Sequence, residues 1–180
     1  MTRGGPKRNE IIAFWEFSWS HSTEAHKKLM CSGRTLSFML SKDYIIGLTD
    51  GEGSFTAYLR PPDKKYGAKN YRIECHYYIK LRKEELGLLK EVKRFFNCGR
   101  ISFQKDKREN HSDCYRFEIS DLESIKKKVI PLFKKNAPKS FSRKKDFNLF
   151  LKIIGLVDKK SHQTAKGLKE IIRLKSQMHK

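Results

Sequence analysis

The chain has 180 residues, enough for one domain with a tail, and hydrophobic residues at 38% suffice for a single core. Lys and Arg number 40 against 20 Asp and Glu, a net charge of +20 spread along the whole chain. The N-terminal apolar run Ile11-Ile12-Ala13-Phe14-Trp15 is cut by Glu16, too short for a membrane span or a secretory leader, so the expected partner is a polyanion and not a membrane.

A broad positive surface gains affinity for nucleic acid because each neutralised phosphate releases counterions. The plainer reading of such a composition is a small ribosome-associated basic protein. Cys31, Cys75, Cys98 and Cys114 form no Cys-x-x-Cys pair, which suits free thiols in a reducing, intracellular compartment (a bacterial or archaeal cytoplasm, or an organelle). Cys75 falls in an apolar alternation and reads as core. His21, His26 and Cys31 are too widely spaced, and lack a fourth ligand, for a zinc site.

Residues 1–40 show no sustained period and read as an N-terminal extension, helical in part from Glu24 to Met30; residues 41–180 read as one domain. Ser41 caps a helix with Asp43 in its first turn, and Gly51 and Gly53 end it. A strand follows at once: Phe55, Ala57 and Leu59 alternate with Thr56, Tyr58 and Arg60. Pro61-Pro62-Asp63 breaks it, and residues 64–70 form a basic loop. In the second strand Ile73, Cys75, Tyr77, Ile79 and Leu81 oppose Arg72, Glu74, His76, Tyr78, Lys80 and Arg82.

A helix from Glu84 to Phe96 carries Leu86, Leu89, Val92 and Phe96 at helical spacing. After the turn Asn97-Cys98-Gly99, Ile101 and Phe103 oppose Arg100, Ser102 and Gln104; then Tyr115, Phe117 and Ile119 oppose Cys114, Arg116 and Glu118. A helix from Leu122 is expected to stop near Pro131, another to span Ser142 to Asp158, and a basic helix to run from Thr164 to Met178. Paired strands separated by helices define an α+β fold, with a four-stranded antiparallel sheet covered by helices on one face. On the uncovered face Arg60, Arg72, His76, Tyr78, Lys80, Arg100, Gln104 and Arg116 would form one surface, either an ordinary solvated face or one that grips nucleic acid; Arg and Gln can reach base edges, whereas Lys mostly meets phosphates.

Glu52 sits where the first helix meets the first strand, and the macrodipole there favours a cation. A bare carboxylate beside phosphates would be repelled, and a divalent ion, Mg²⁺ or Mn²⁺, resolves the conflict. One acid per chain is too few for a two-metal clamp. Gly47 and Gly51, one turn apart, leave a flank that a second helix can approach closely, so a homodimer would bring two copies of Glu52 together. The alternative is that Gly47 packs under the sheet and Gly51 only caps the helix. Asp50 reads chiefly as a structural or capping acid.

Ile45-Ile46-Gly47-Leu48-Thr49-Asp50-Gly51-Glu52-Gly53, with the strand from Ser54-Phe55, resembles the LAGLIDADG motif of homing endonucleases, and the order of elements extends the resemblance over residues 41–158. The resemblance implies an αββαββα saddle that straddles double-stranded DNA and hydrolyses both strands with a divalent metal. It implies that Glu52 is the catalytic, metal-binding acid and that Gly51 lends a backbone carbonyl to the metal. It implies a basic site near the scissile phosphate at Arg143 to Lys145, carried by Arg143 or Lys144. The base-reading surface would comprise Thr56, Tyr58, Arg60, Arg72, Glu74, His76, Tyr78, Lys80, Arg100, Ser102, Gln104, Arg116 and Glu118. The dimer interface would comprise Ile46, Gly47, Asp50 and Gly51.

Two departures stand out. Ile46 and Thr49 replace smaller or more apolar residues at the expected dimer axis. The polar, water-positioning residue after the second strand corresponds to Leu81, so Lys80 or Arg82 is expected to take its place. Ile153-Ile154-Gly155-Leu156-Val157-Asp158 imitates half of the motif, continues without the glycine and acid, and reads as a core helix. One motif then implies a homodimer on a pseudo-palindromic site. The competing functions are an RNA-binding maturase that grips its intron through the same sheet, and a DNA-binding regulator on the same fold.

Overall fold

The structure, a computed structural model, describes residues 39–63, 70–105 and 112–180. The readings of the N-terminal extension, including His21, His26 and Cys31, lie outside the described residues. Helix α1 (Lys42–Glu52) opens on Ser41, whose side chain accepts the Tyr44 N–H at 3.1 Å. Strands β1 (Gly53–Arg60) and β2 (Arg72–Arg82) follow, then helix α2 (Leu86–Phe96), β3 (Arg100–Gln104) and β4 (Cys114–Ile119). Helix α3 spans residues 122–135, α4 is Phe141–Asp158 and α5 is Ala165–Lys175.

The four strands form one antiparallel sheet in the order β1-β2-β4-β3. The apolar members of each alternation face the helices. Phe55, Ala57, Cys75, Tyr77, Ile79, Phe117 and Ile119 are buried there with Leu89 and Val92 of α2, Ile125, Val129 and Phe133 of α3, and Phe147, Phe150 and Ile153 of α4. Phe55 is the hub, with ring centroids 5.0–5.6 Å from Tyr77, Phe133, Phe147 and Phe150. Ile153 and Ile154 are buried in this core, so the half-motif in α4 is a core helix, as expected.

The expected end of α3 at Pro131 is corrected: the helix continues to Lys135. A turn of π-helix, Ile125–Val129, precedes the proline, with the Ile130 N–H bonded to the Ile125 carbonyl five residues back. Proline lacks an N–H and crowds the carbonyl four residues earlier, and the wider turn accommodates both.

Two glycines are fixed by space. A Cβ on Gly53 would lie 2.6 Å from the Thr49 Cα, so only glycine lets β1 leave directly from the last turn of α1. Gly99 has φ +82°, and its Cβ would meet the Glu118 carbonyl at 2.8 Å. That turn feeds Arg100 straight into β3.

Candidate active site and nucleic-acid interface

Glu52 is the last residue of α1, and the Gly53 N–H donates to the Thr49 carbonyl as β1 begins. With no loop between helix and strand, both elements hold Glu52. Its side chain is exposed, and among the described residues nothing pairs with its carboxylate. The β1–β2 ladder begins at Gly53, which pairs with Ile79, so the acid directly precedes the first paired residue and Lys80 directly follows that residue's partner.

Lys80 belongs to the outer alternation. Leu81 faces inward and packs against the core, and Lys80 and Arg82 lie on the opposite, outer side of β2. The carbonyls of the last turn of α1, Gly51 among them, have no partner within the helix.

Thr49 and Tyr77 fix α1 to the sheet. Both are fully buried, and their hydroxyls lie 2.7 Å apart; the Thr49 Oγ1 is also 2.7 Å from the Ile45 carbonyl. Because a carbonyl only accepts, Thr49 donates to Ile45 and Tyr77 donates to Thr49. Burial pushes the Tyr77 hydroxyl's pKa upward, with the Thr49 bond acting the other way, so it stays a donor. Thr49 is therefore packed into the sheet of its own chain. Ile46, expected at the dimer interface, is 6% exposed in the single chain and lines the same cleft as Gly47 and Asp50. The open flank of α1 is Tyr44, Gly47 and Gly51, and a Cβ on either glycine would meet nothing within 4 Å. Gly47 thus faces solvent and is not packed under the sheet.

Asp50 is a capping acid across the chain. Its carboxylate accepts the backbone N–H groups of Lys139 at 2.9 Å and Ser140 at 3.1 Å, at the start of α4. A helix N-terminus leaves such donors unpaired, and its dipole favours an acid. This clamp sets the first turn of α4, hence Arg143 and Lys144, against the end of α1. Lys144 is exposed and lines a cleft with Asp43, Gly47 and Asp50. Arg143 is half-buried, and its Nε is enclosed without a hydrogen-bond partner.

The outer sheet face is less free than its alternation suggests. Thr56, His76 and Glu118 are buried at 5–8% exposure, a correction to their expected place on an open surface. Two glutamates collect the cations around them. Glu74 accepts from Arg60 at 3.1 Å and from Arg72 at 2.5 Å. Glu118 accepts from Arg100 Nε at 3.1 Å and Nη2 at 2.8 Å, and lies 2.7 Å from His76 Nδ1, which carries the proton because a carboxylate can only accept.

Arg116 Nη2 lies 2.6 Å from Glu118 but is not aligned as a hydrogen bond; its guanidinium sits 3.8 Å from the centre of the Tyr78 ring. Burial raises the pKa of Glu118, but the His76 and Arg100 hydrogen bonds and the Arg116 charge outweigh it and hold the carboxyl below its ordinary value. Tyr58 stands edge-on to His76 at 4.9 Å. Lys80, Arg82, Ser102 and Gln104 complete the face; Ser102 and Lys80 flank Arg116 across the ladders, and Gln104 is paired with Cys114.

Among the described residues, no group of three His, Cys, Asp or Glu side chains is arranged to hold a metal ion by itself. The donor set is one exposed carboxylate beside the Gly51 carbonyl, which has no partner within the helix. This fits a hard divalent ion that takes few protein ligands and fills its shell with water and phosphate, and does not fit a structural zinc.

The sequence model of the LAGLIDADG endonuclease family matches residues 45–154, more than half of the chain. A probable intron-encoded endonuclease 2 of Neurospora crassa is 28% identical over 164 residues, 90% of this chain and 34% of its own length. A probable intron-encoded DNA endonuclease 1 of Mycosarcoma maydis is 29% identical over 61% of this chain and 35% of its own. The chain thus spans about a third of the length of these curated relatives.

Among solved structures, the homing endonuclease I-TnaI matches with a TM-score of 0.66 at 27% identity, over 78% of this chain and 89% of that one. I-SmaMI, bound to an uncleaved DNA target in the presence of calcium ions, matches with 0.66 at 27% identity, over 78% of this chain but 45% of that one. I-SmaMI has also been solved bound to cleaved DNA. The chain belongs to the LAGLIDADG endonuclease family and has its α+β fold, with a four-stranded antiparallel sheet and helices on one face.

Proposed function

We propose that this chain is a site-specific endonuclease that cuts both strands of duplex DNA with Mg²⁺ or a similar divalent ion. The observation that carries the reading is Glu52: an exposed carboxylate, paired with none of the described residues, fixed where α1 passes directly into β1 in a strongly cationic chain. A chain of net charge +20 would not place a free acid there merely to bind a polyanion. Glu52, with the Gly51 carbonyl, holds the ion; once bound, the ion offsets phosphate charge and makes a bound water more acidic. Lys80, next to the strand residue that pairs with Gly53, supplies positive charge toward the same phosphate. Lys144 and Arg143, set by the Asp50 clamp, orient the scissile phosphate.

Cutting two strands takes two such acids. We infer that the second comes from another copy of this chain, packed along the flank of Tyr44, Gly47 and Gly51. The 89% coverage of I-TnaI against 45% of I-SmaMI supports a unit of this size as a working half. Free Cys75, Cys98 and Cys114 suit an intracellular, reducing compartment.

Incubating the protein with a randomised duplex library and Mg²⁺, then sequencing cut ends, tests the reading. The expected product is a defined site cut on both strands, with cutting lost on chelation. Tight binding without cutting would favour the maturase or regulator instead.

A further inference from the structure

We propose that Glu118 is a positioning residue for sequence readout: it holds Arg100 so that the unused donor edge of that guanidinium meets the O6 and N7 of a guanine in the major groove. The inference rests on the outer face meeting duplex DNA and deepens that reading.

An arginine reads guanine only if its planar fork arrives in one orientation. A free arginine on a solvated strand samples many rotamers, and ordering it on binding costs affinity. Here the order is built in. Arg100 spends one N–H of Nε and one of Nη2 on the same Glu118 oxygen. Of its five donors, both on Nη1 and the second on Nη2 remain, and these form the edge that matches O6 and N7. The Arg100 side chain is 69% exposed, so that edge is open to a ligand.

The carboxylate is held as firmly as the arginine. Glu118 is 5% exposed, with His76 on its other oxygen and Arg116 closed against it. Arg116, pressed on Tyr78 and 17% exposed, supplies charge and does not present a reading edge. Without the carboxylate, Arg100, Arg116 and the cross-strand neighbour Lys80 would repel one another and splay.

Glu74 differs. Its arginine partners Arg60 and Arg72 are 59% and 76% exposed, and the carboxylate itself is 22% exposed. Each of these arginines spends one donor on a carboxylate more open than that of Glu118, so both pairs are more screened and less restrained than the two-donor grip on Arg100. The cation with a preset reading edge is therefore Arg100.

The test is selection of bound duplexes from a randomised library in a chelating buffer, which reads binding apart from cleavage, followed by incubation of the selected duplex with Mg²⁺. Arg100→Ala is expected to lose preference at one or two G·C pairs, by on the order of tenfold. Glu118→Gln is expected to lose preference at the same pairs while binding unrelated duplex more tightly, because one negative charge is gone. Glu118→Asp, which keeps the charge but withdraws it, gives the same answer should Gln fold poorly. A Glu118 variant whose bound fraction falls while every base preference stays wild-type has a purely structural glutamate, and that result overturns the proposal. So does an Arg100→Ala protein with intact guanine preference. If the selected duplex is bound but never cut, the endonuclease reading fails and this inference stands.

Discussion

The two faces of the sheet share the same strands and obey different rules. The inner face is apolar by alternation, and its centre is buried under the helices, with Phe103 at the far end of β3 left half exposed. The outer face alternates just as regularly, yet Thr56, His76 and Glu118 are as buried as core residues whereas Arg72 and Arg100 are open. Inside, the hydrophobic side chains are covered by helices; outside, long cations stay open around a buried glutamate and histidine that they help to neutralise. Core replacements should therefore act on stability, and outer replacements on recognition.

Phe55→Ala should separate the faces most strongly. Its ring is in contact with four others, and losing it should cost about 3–5 kcal/mol in urea unfolding. A loss below that range would mean the hub is redundant.

Asp50→Ala should come next, at about 1–2 kcal/mol, because two backbone donors at the start of α4 lose their acceptor. It should also lower kcat more than it raises KM, since Arg143 and Lys144 would drift from the scissile phosphate. An unchanged kcat would separate the clamp from the chemistry.

Gly47→Ala splits sign. No atom obstructs the new methyl, and replacing glycine inside a helix should stabilise an isolated protomer by about 1 kcal/mol. The same methyl should weaken a dimer packed along that flank, read as a larger dissociation constant by sedimentation. A tighter dimer would place the interface elsewhere.

Glu74→Gln should have the smallest effect, within about 1 kcal/mol of wild type, because its partners are solvated. Glu118 is the sharper probe through pH. Its carboxyl is held below the ordinary value of 4.5 in the fold, so its contribution is present above that value and lost as pH falls through the folded one. Glu118→Gln should flatten the acid side of the urea midpoint against pH; an unchanged slope would show that the network adds nothing to stability.

These contrasts follow what could be read from the residues. The strands, their faces and the position of Glu52 were legible because period-two alternation and the glycine-spaced acids are local signals. Asp50 was legible as a capping acid, but its target, ninety residues away in sequence at Ser140, was not. That Thr49 packs over Tyr77 was not legible, because a helix has several flanks and the sequence does not mark which one meets the sheet. The continuation of α3 past Pro131 needed a π turn, which no composition announces. The glutamate network was invisible because cross-strand pairing depends on register.

The central claim is that the Glu52 carboxylate, held between α1 and β1, performs the cleavage step. Glu52→Gln keeps the shape and removes the charge that holds the ion. Measured side by side on the selected duplex, the variant should bind as wild type while cleavage falls by about a thousandfold or more, the equivalent of several kcal/mol of transition-state stabilisation. Wild-type cleavage by Glu52→Gln would contradict the account.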